Sequence, residues 1–121
     1  MVKFATPIFH KRISPVLDSC KRLLIIEAEQ GREQGRMEIF LDDLSLTDRC
    51  QFIRKAKVDI IICCGISDIL DTMLQSIGVR LISGIVGDAE QVISAFLNDR
   101  LDDPCYHMPG DKDHPCDPPP D

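Results

Sequence analysis

No run of apolar residues in this 121-residue chain approaches the ~20 that a membrane span needs. No signal-peptide pattern stands ahead of Met1-Val2-Lys3-Phe4, which runs straight into strand-like sequence, so the expected compartment is the cytoplasm. A basic face is also missing. The net charge is −6, and from Asp99 onward seven Asp stand against only Arg100 and Lys112, which gives −5 there and leaves −1 on residues 1–98. A near-neutral body with an acidic tail argues against non-specific nucleic-acid binding, which needs a net positive surface. Common catalytic signatures are absent too: no P-loop, no G-x-G-x-x-G and no Ser/His/Asp signature. The first strand holds no acidic residue, which argues against a two-metal nuclease centre built on it. The chain is therefore expected not to be an enzyme.

What is present is an ordinary soluble composition, 44% apolar and 28% charged, with room for one modest core. Six cysteines stand out: Cys20, Cys50, Cys63, Cys64, Cys105 and Cys116. In a chain without an export signal they read as reduced thiols, for metal or redox chemistry rather than disulfides.

Hydrophobic patterning predicts a strand over residues 2–8, closed by Pro7, then a loop from His10 to Cys20. Residues 23–29 are apolar and β-branched, residues 30–35 carry turn signals, and residues 36–41 alternate polar and apolar, so a hairpin should lie beside the first strand. Ser45-Leu46-Thr47-Asp48 has the form of a capping box, and Leu46, Cys50, Ile53 and Ala56 behind it share a helical face, which makes Cys50 a core residue. Residues 58–64 read as a strand buried on both faces. Ser67 caps a helix with an apolar face of Ile69, Leu70, Met73, Leu74 and Ile77, ended by Gly78. A short strand over 79–83, a turn over 84–87 and an Asp88-capped helix follow. The predicted order, β-β-β-α-β-α-β-α, is an α/β fold with one mixed five-stranded sheet and flanking helices. Residues 102–121 (rich in Asp, Pro, Cys and His) form a separate acidic tail that cannot bury enough apolar surface to order itself.

Two groups of residues could carry chemistry. The first lies where the strand over 58–64 ends, at the place where open α/β sheets bind ligands. Cys63 and Cys64 are neighbours on an extended chain and so point to opposite faces. Cys20 should come close if the first and fourth strands are parallel neighbours. Cys20, Cys63 or Cys64, and the amides of Gly65, Ile66 and Ser67 then form a candidate site for a metal–sulfur cluster, since helix N-termini favour anions. The competing reading is two packed thiols and a tight turn that needs glycine. The second group is the tail, Cys105-Tyr106-His107 and His114-Pro115-Cys116, with donors suited to zinc or copper and Met108 suited to Cu(I). Only one residue separates each Cys/His pair, less than the common zinc signature has. A tail without metal, or a Cys105–Cys116 disulfide, stays open beside it. His10 reads as a solvated loop residue, and Asp68 and Asp71 as first-turn carboxylates. A redox pair of Cys63 and Cys64 is disfavoured by diverging Cβ atoms.

Three stretches, in order, resemble a known family. They are Lys3-Phe4-Ala5-Thr6-Pro7; Ile13-Ser14-Pro15 through Ser19-Cys20 to Leu23-Leu24-Ile25-Ile26-Glu27; and Ile62-Cys63-Cys64-Gly65-Ile66 through Gly78-Val79 to Ile85-Val86-Gly87-Asp88-Ala89-Glu90 and Ala95-Phe96-Leu97. Over about residues 1–101 the chain resembles the dinitrogenase iron-molybdenum cofactor biosynthesis family, the small nitrogenase accessory proteins and their archaeal and bacterial relatives. The resemblance implies a ribonuclease-H-like layer without nuclease activity, and a carrier of iron-molybdenum cofactor or its precursors working beside a metalloprotein or cluster-assembly partner. The family's loop usually reads His-Phe-Gly, its histidine implicated in cofactor binding. Val16, Leu17 and Asp18 stand there in this chain, and Cys64 replaces the first of a glycine pair. Cys20, Cys63 and Cys64 are thus proposed substitutes, not inherited ligands. The rival expectation is a metal-free interaction or regulatory module on the same fold, its acidic tail a partner-binding segment. A homodimer through an exposed sheet edge is compatible with either.

Overall fold

The structure is a computed structural model that describes residues 2–100. Its elements are β1 (Val2–Phe9), β2 (Arg12–Ile13), β3 (Arg22–Glu29), β4 (Arg32–Phe40), α1 (Leu46–Lys55), β5 (Ile60–Ile62), α2 (Asp68–Ser76), β6 (Arg80–Ile82) and α3 (Ala89–Leu97). They form one six-stranded mixed sheet in the order β4-β3-β1-β5-β6, with β2 pairing β1 to one side of that path. β1 and β3, and β3 and β4, pair antiparallel, whereas β1, β5 and β6 run parallel. The hairpin beside the first strand and the parallel second half are as the patterning predicts.

The sixth strand is the difference from the predicted five. β2 has only two residues, which fold back on the end of β1 as Ile8↔Ile13 and Phe9↔Arg12. A pair that short has no periodicity to read. His10, at φ 58°, makes the turn between them. Pro7 does not close β1: it lies inside the strand opposite Leu23. The β5 ladder covers only Phe4 and Ala5, so it asks no amide of Pro7. The turn expected over 30–35 is shorter. Gln30 and Gly31 (φ 54° and 75°) make a two-residue hairpin turn, which needs positive φ at both central positions. The register shifts so that Ala28 faces Glu33 while Glu27 faces Gly35; the second glycine marks a bulge inside β4.

Each face of the sheet buries its own core. Ala5, Leu23, Ile25, Ile39, Ile61 and Cys63 meet Cys50 and Ile53 of α1 and Leu70 and Leu74 of α2 on one side. Phe4, Ile8, Leu24, Ile26 and Ile62 meet Ala89, Val92 and Ile93 of α3 on the other. The caps are the predicted ones. The hydroxyls of Ser45 and Ser67 accept from the amides of Asp48 and Leu70 at 3.1 and 3.2 Å, and the Asp88 carboxylate accepts from Gln91 N at 3.1 Å. Thr6 is fully buried, and its Oγ1 has no hydrogen-bond partner among the described residues. No helix among the described residues is long and apolar enough to cross a membrane.

Candidate functional site

The carboxyl ends of the three parallel strands gather three loops. The loop after β1 runs through residues 10–21, the loop after β5 through 63–67, and the loop after β6 through 83–88. β5 itself stops at Ile62, so Cys63 and Cys64 lie just beyond the strand rather than within it. Their side chains nevertheless go to opposite cores. Cys63 is fully buried in the core under α1 and α2, and Cys64 is half-buried against the core under α3. Both are tied to the next loop: Cys63 N donates to Ile82 O, and Ile85 N and Gly84 N donate to the carbonyls of Cys63 and Cys64 at 3.0 and 2.8 Å.

The first loop folds over this end and bonds to the second. Gly65 N donates to Pro15 O at 2.9 Å, Leu17 N donates to Gly65 O at 2.8 Å, and Val16 and Gly65 form a parallel bridge. A Cβ on Gly65 would stand 2.8 Å from Pro15 O, closer than a side-chain carbon approaches a backbone atom. Close chain approach, not a left-handed turn, is why glycine stands here. Asp18 completes the contact: its Oδ1 accepts from Ser67 N at 2.8 Å and its Oδ2 accepts from the Ser67 hydroxyl. A carboxylate at this position also suits the positive end of the α2 dipole. Of the amides expected to receive an anionic cluster, those of Gly65 and Ser67 are therefore committed within the chain.

Cys20 comes to the same core as Cys63, as parallel neighbours β1 and β5 require, and only 3% of it is exposed. The buried Arg49 reaches it from α1. Its guanidinium donates to Cys20 O at 2.6 Å and to Cys20 Sγ at 3.6 Å, and its Nε donates to Leu44 O at 3.2 Å. Burial pushes the Cys20 thiol up, and the Arg49 charge partly offsets it. Burial pushes Cys63 further, to about 12, with the neighbouring Cys64 thiol and nearby carboxylates adding to it. Burial raises Cys64 as well. These thiols are neutral at ordinary pH, and a soft metal ion must displace their protons to bind. Cys50 packs as predicted, with its thiol 3.8 Å from Met73 O.

Asp18 and Arg49 were not singled out by pattern. The signal for Arg49 is its place three residues after Leu46 and four before Ile53, on the apolar stripe of α1 where a charge has to find a buried partner. No local signal marks Asp18, whose partner is 49 residues away. A cleft of about 260 Å³ opens between the end of β1 and the loop, lined by Phe9, Pro15, Val16, Ser19, Cys20 and Lys21 among others. Among the described residues no three His, Cys, Asp or Glu side chains converge as a metal centre. Cys105, His107, His114 and Cys116 lie outside the described residues, as does the tail expected over 102–121.

No protein-family model matches the sequence, and no curated protein matches it. Solved structures do. The crystal structure of PH0822 superposes with a TM-score of 0.80 at 17% identity, covering 91% of this chain and 96% of that one. A candidate dinitrogenase from Methanocaldococcus jannaschii gives 0.69 at 23% identity over 81% and 89% of the two chains. A candidate NifB protein from Thermotoga, of the DUF35 family, gives 0.63 at 19% identity over 83% and 90%. At these identities the likeness is one of fold: this chain shares its mixed α/β architecture with proteins named in nitrogenase terms.

Proposed function

We propose that the protein is a non-enzymatic accessory protein of the iron-molybdenum cofactor biosynthesis type, with a metal or metal–sulfur cluster as its cargo and a ribonuclease-H-like domain as its platform. The observation that supports this reading is the placement of Cys20 and Cys63 in one core, with Cys64 against the other, all at the same end of the sheet, in a fold shared with proteins named as a candidate dinitrogenase and a candidate NifB. Thiolate is a suitable donor for iron–sulfur, zinc or Cu(I) cargo. The half-buried Cys64 is the thiol an incoming ion meets first. Three thiols divided between two faces do not by themselves make a tetrahedral centre. The remaining donors come from Cys105, His107, His114 and Cys116, or from the protein that delivers the cargo.

A second reading has its own support. Asp18 fills the anion position at α2, and Cys20 and Cys63 are packed away, as in a metal-free interaction module that kept the fold and closed the site. Anaerobic isolation of the untagged full chain, with metals measured by mass spectrometry, separates the two. The carrier reading expects bound metal that falls in Cys20→Ala/Cys64→Ala, or in the tail variant Cys105→Ala/His107→Ala/His114→Ala/Cys116→Ala. No metal in the wild-type chain, even after reconstitution with iron and sulfide, molybdate, zinc or copper, leaves the interaction module.

A further inference from the structure

The two edges of the sheet differ. β6 ends the sheet with three residues, whereas β4 presents nine, and among the described residues nothing pairs its outer side. A long edge of unpaired amides and carbonyls is a template for another strand. β4 also exposes Met37 (55%) and Phe40 (69%).

We propose that β4 pairs with β4 of a second copy of this chain, antiparallel and centred on Met37, joining two sheets into one. The register follows from backbone direction and charge. Leu41 N donates to Lys21 O, so the backbone groups of Leu41, Ile39 and Met37 point toward β3. Those of Phe40, Glu38 and Arg36 then point outward, because alternate residues of an antiparallel ladder bond to opposite sides. Between the bulge at Gly35 and the end of β4 at Phe40, a symmetric ladder built from outward groups can be centred on Arg36, Met37, Glu38 or Ile39, and centring on Ile39 sets Glu38 opposite Phe40, which matches no charges. Centring on Arg36 sets two arginines opposite each other, and centring on Glu38 sets two glutamates opposite each other. Centring on Met37 sets Arg36 opposite Glu38 of the second copy twice, within the regular stretch of β4 after the bulge. Opposite charges facing across a strand pair stabilise it, and like charges destabilise it. On the axis, the two exposed Met37 side chains meet as a non-hydrogen-bonded pair, the closer kind, about 4.5 Å between Cα atoms. They lie on the face that carries Ile25 and Ile39, so the core under α1 and α2 continues across the axis. Arg36 is held in place by Glu33 and Glu90 at 2.6 Å and Glu38 by Arg22 at 3.4 Å, which fixes where the second copy meets each side chain.

Sedimentation of the full-length chain over a concentration series tests this. The wild type is expected at twice the monomer mass. Arg36→Glu alone and Glu38→Arg alone are each expected to weaken dimerisation at least about tenfold, because each sets like charges opposite twice. Mixing the two variants is expected to restore a dimer, since one copy then carries acidic side chains at both positions and faces a copy that carries basic side chains at both. Restoration on mixing cannot come from a mere loss of stability in either variant. Met37→Lys provides a variant that leaves the Arg36 bonds intact, and it is expected to be monomeric. A wild-type monomer at every concentration overturns the proposal, as does a dimer indifferent to Arg36→Glu, or two variants that do not associate on mixing.

Discussion

Helices α2 and α3 each follow a short parallel strand and a glycine-bearing loop, and each starts at a side-chain cap, Ser67 in one and Asp88 in the other. The loop after β1 ties down both, by different means. At α3 the ties are main-chain: Ile13 N donates to Gly87 O at 2.9 Å, Ala89 N donates to Lys11 O at 2.8 Å, and Arg12 bridges Asp88. At α2 main-chain bonds to Gly65 are joined by the Asp18 carboxylate on the Ser67 amide and hydroxyl. Main-chain ties tolerate most substitutions. The α2 contact depends on one glycine and one carboxylate, so it is the side that a few changes can open, and it is the side on which Cys20 and Cys63 are buried.

The largest expected effect comes from that glycine. Gly65→Val places a branched side chain against Pro15 O, and overpacking against backbone costs about 1–3 kcal/mol or more. Thermal unfolding should show the loss, and hydrogen exchange should rise at Leu17 and Ser67 before Ile13 and Ala89. An equal rise at all four would erase the distinction between the two helices. Asp18→Ala removes charged hydrogen bonds worth about 1.5–3 kcal/mol and frees Ser67 N, whereas Asp18→Asn keeps an acceptor and should lose less. Arg49→Leu leaves Cys20 O without its partner, at a cost of about 1–3 kcal/mol, read by chemical denaturation. Thr6→Val goes the other way. It replaces an unpartnered buried hydroxyl with a methyl of the same shape and should raise the melting temperature by a few degrees.

The thiols extend the comparison to chemistry. Iodoacetamide at pH 8 should modify Cys64 before Cys63 in the native protein, with mass spectrometry of peptides as the readout. Because burial raises Cys63 from the ordinary value of 9.0 to about 12, the folded chain keeps a proton that the unfolded chain releases over that range. The Cys63 contribution to stability is therefore full below pH 9 and is lost as pH rises toward 12. Cys63→Ala should flatten that alkaline decline.

Much of the fold was legible because its signals are local. Ser45, Ser67 and Asp88 announce their helices from within one turn, and the apolar run ending at Ile62 announces a buried strand. The sequence also placed Cys20 near Cys63 through the parallel pairing of β1 and β5. What escaped is non-local or too short to have a period. β2 is two residues, the Asp18–Ser67 contact spans 49 positions, and the Arg49–Cys20 contact spans 29. Gly35 misled because glycine reads as a turn signal, whereas here it sits at a bulge inside β4 without a positive φ.

The most direct test of the carrier reading is anaerobic metal titration of the full chain, wild type beside Asp18→Ala, after loading with iron and sulfide, molybdate, zinc or copper and removal of excess by gel filtration. A carrier retains metal as the wild type, and loads faster or more fully when the α2 N-terminus is released from Asp18. Neither chain retaining metal would contradict the carrier reading and leave the fold as an interaction module.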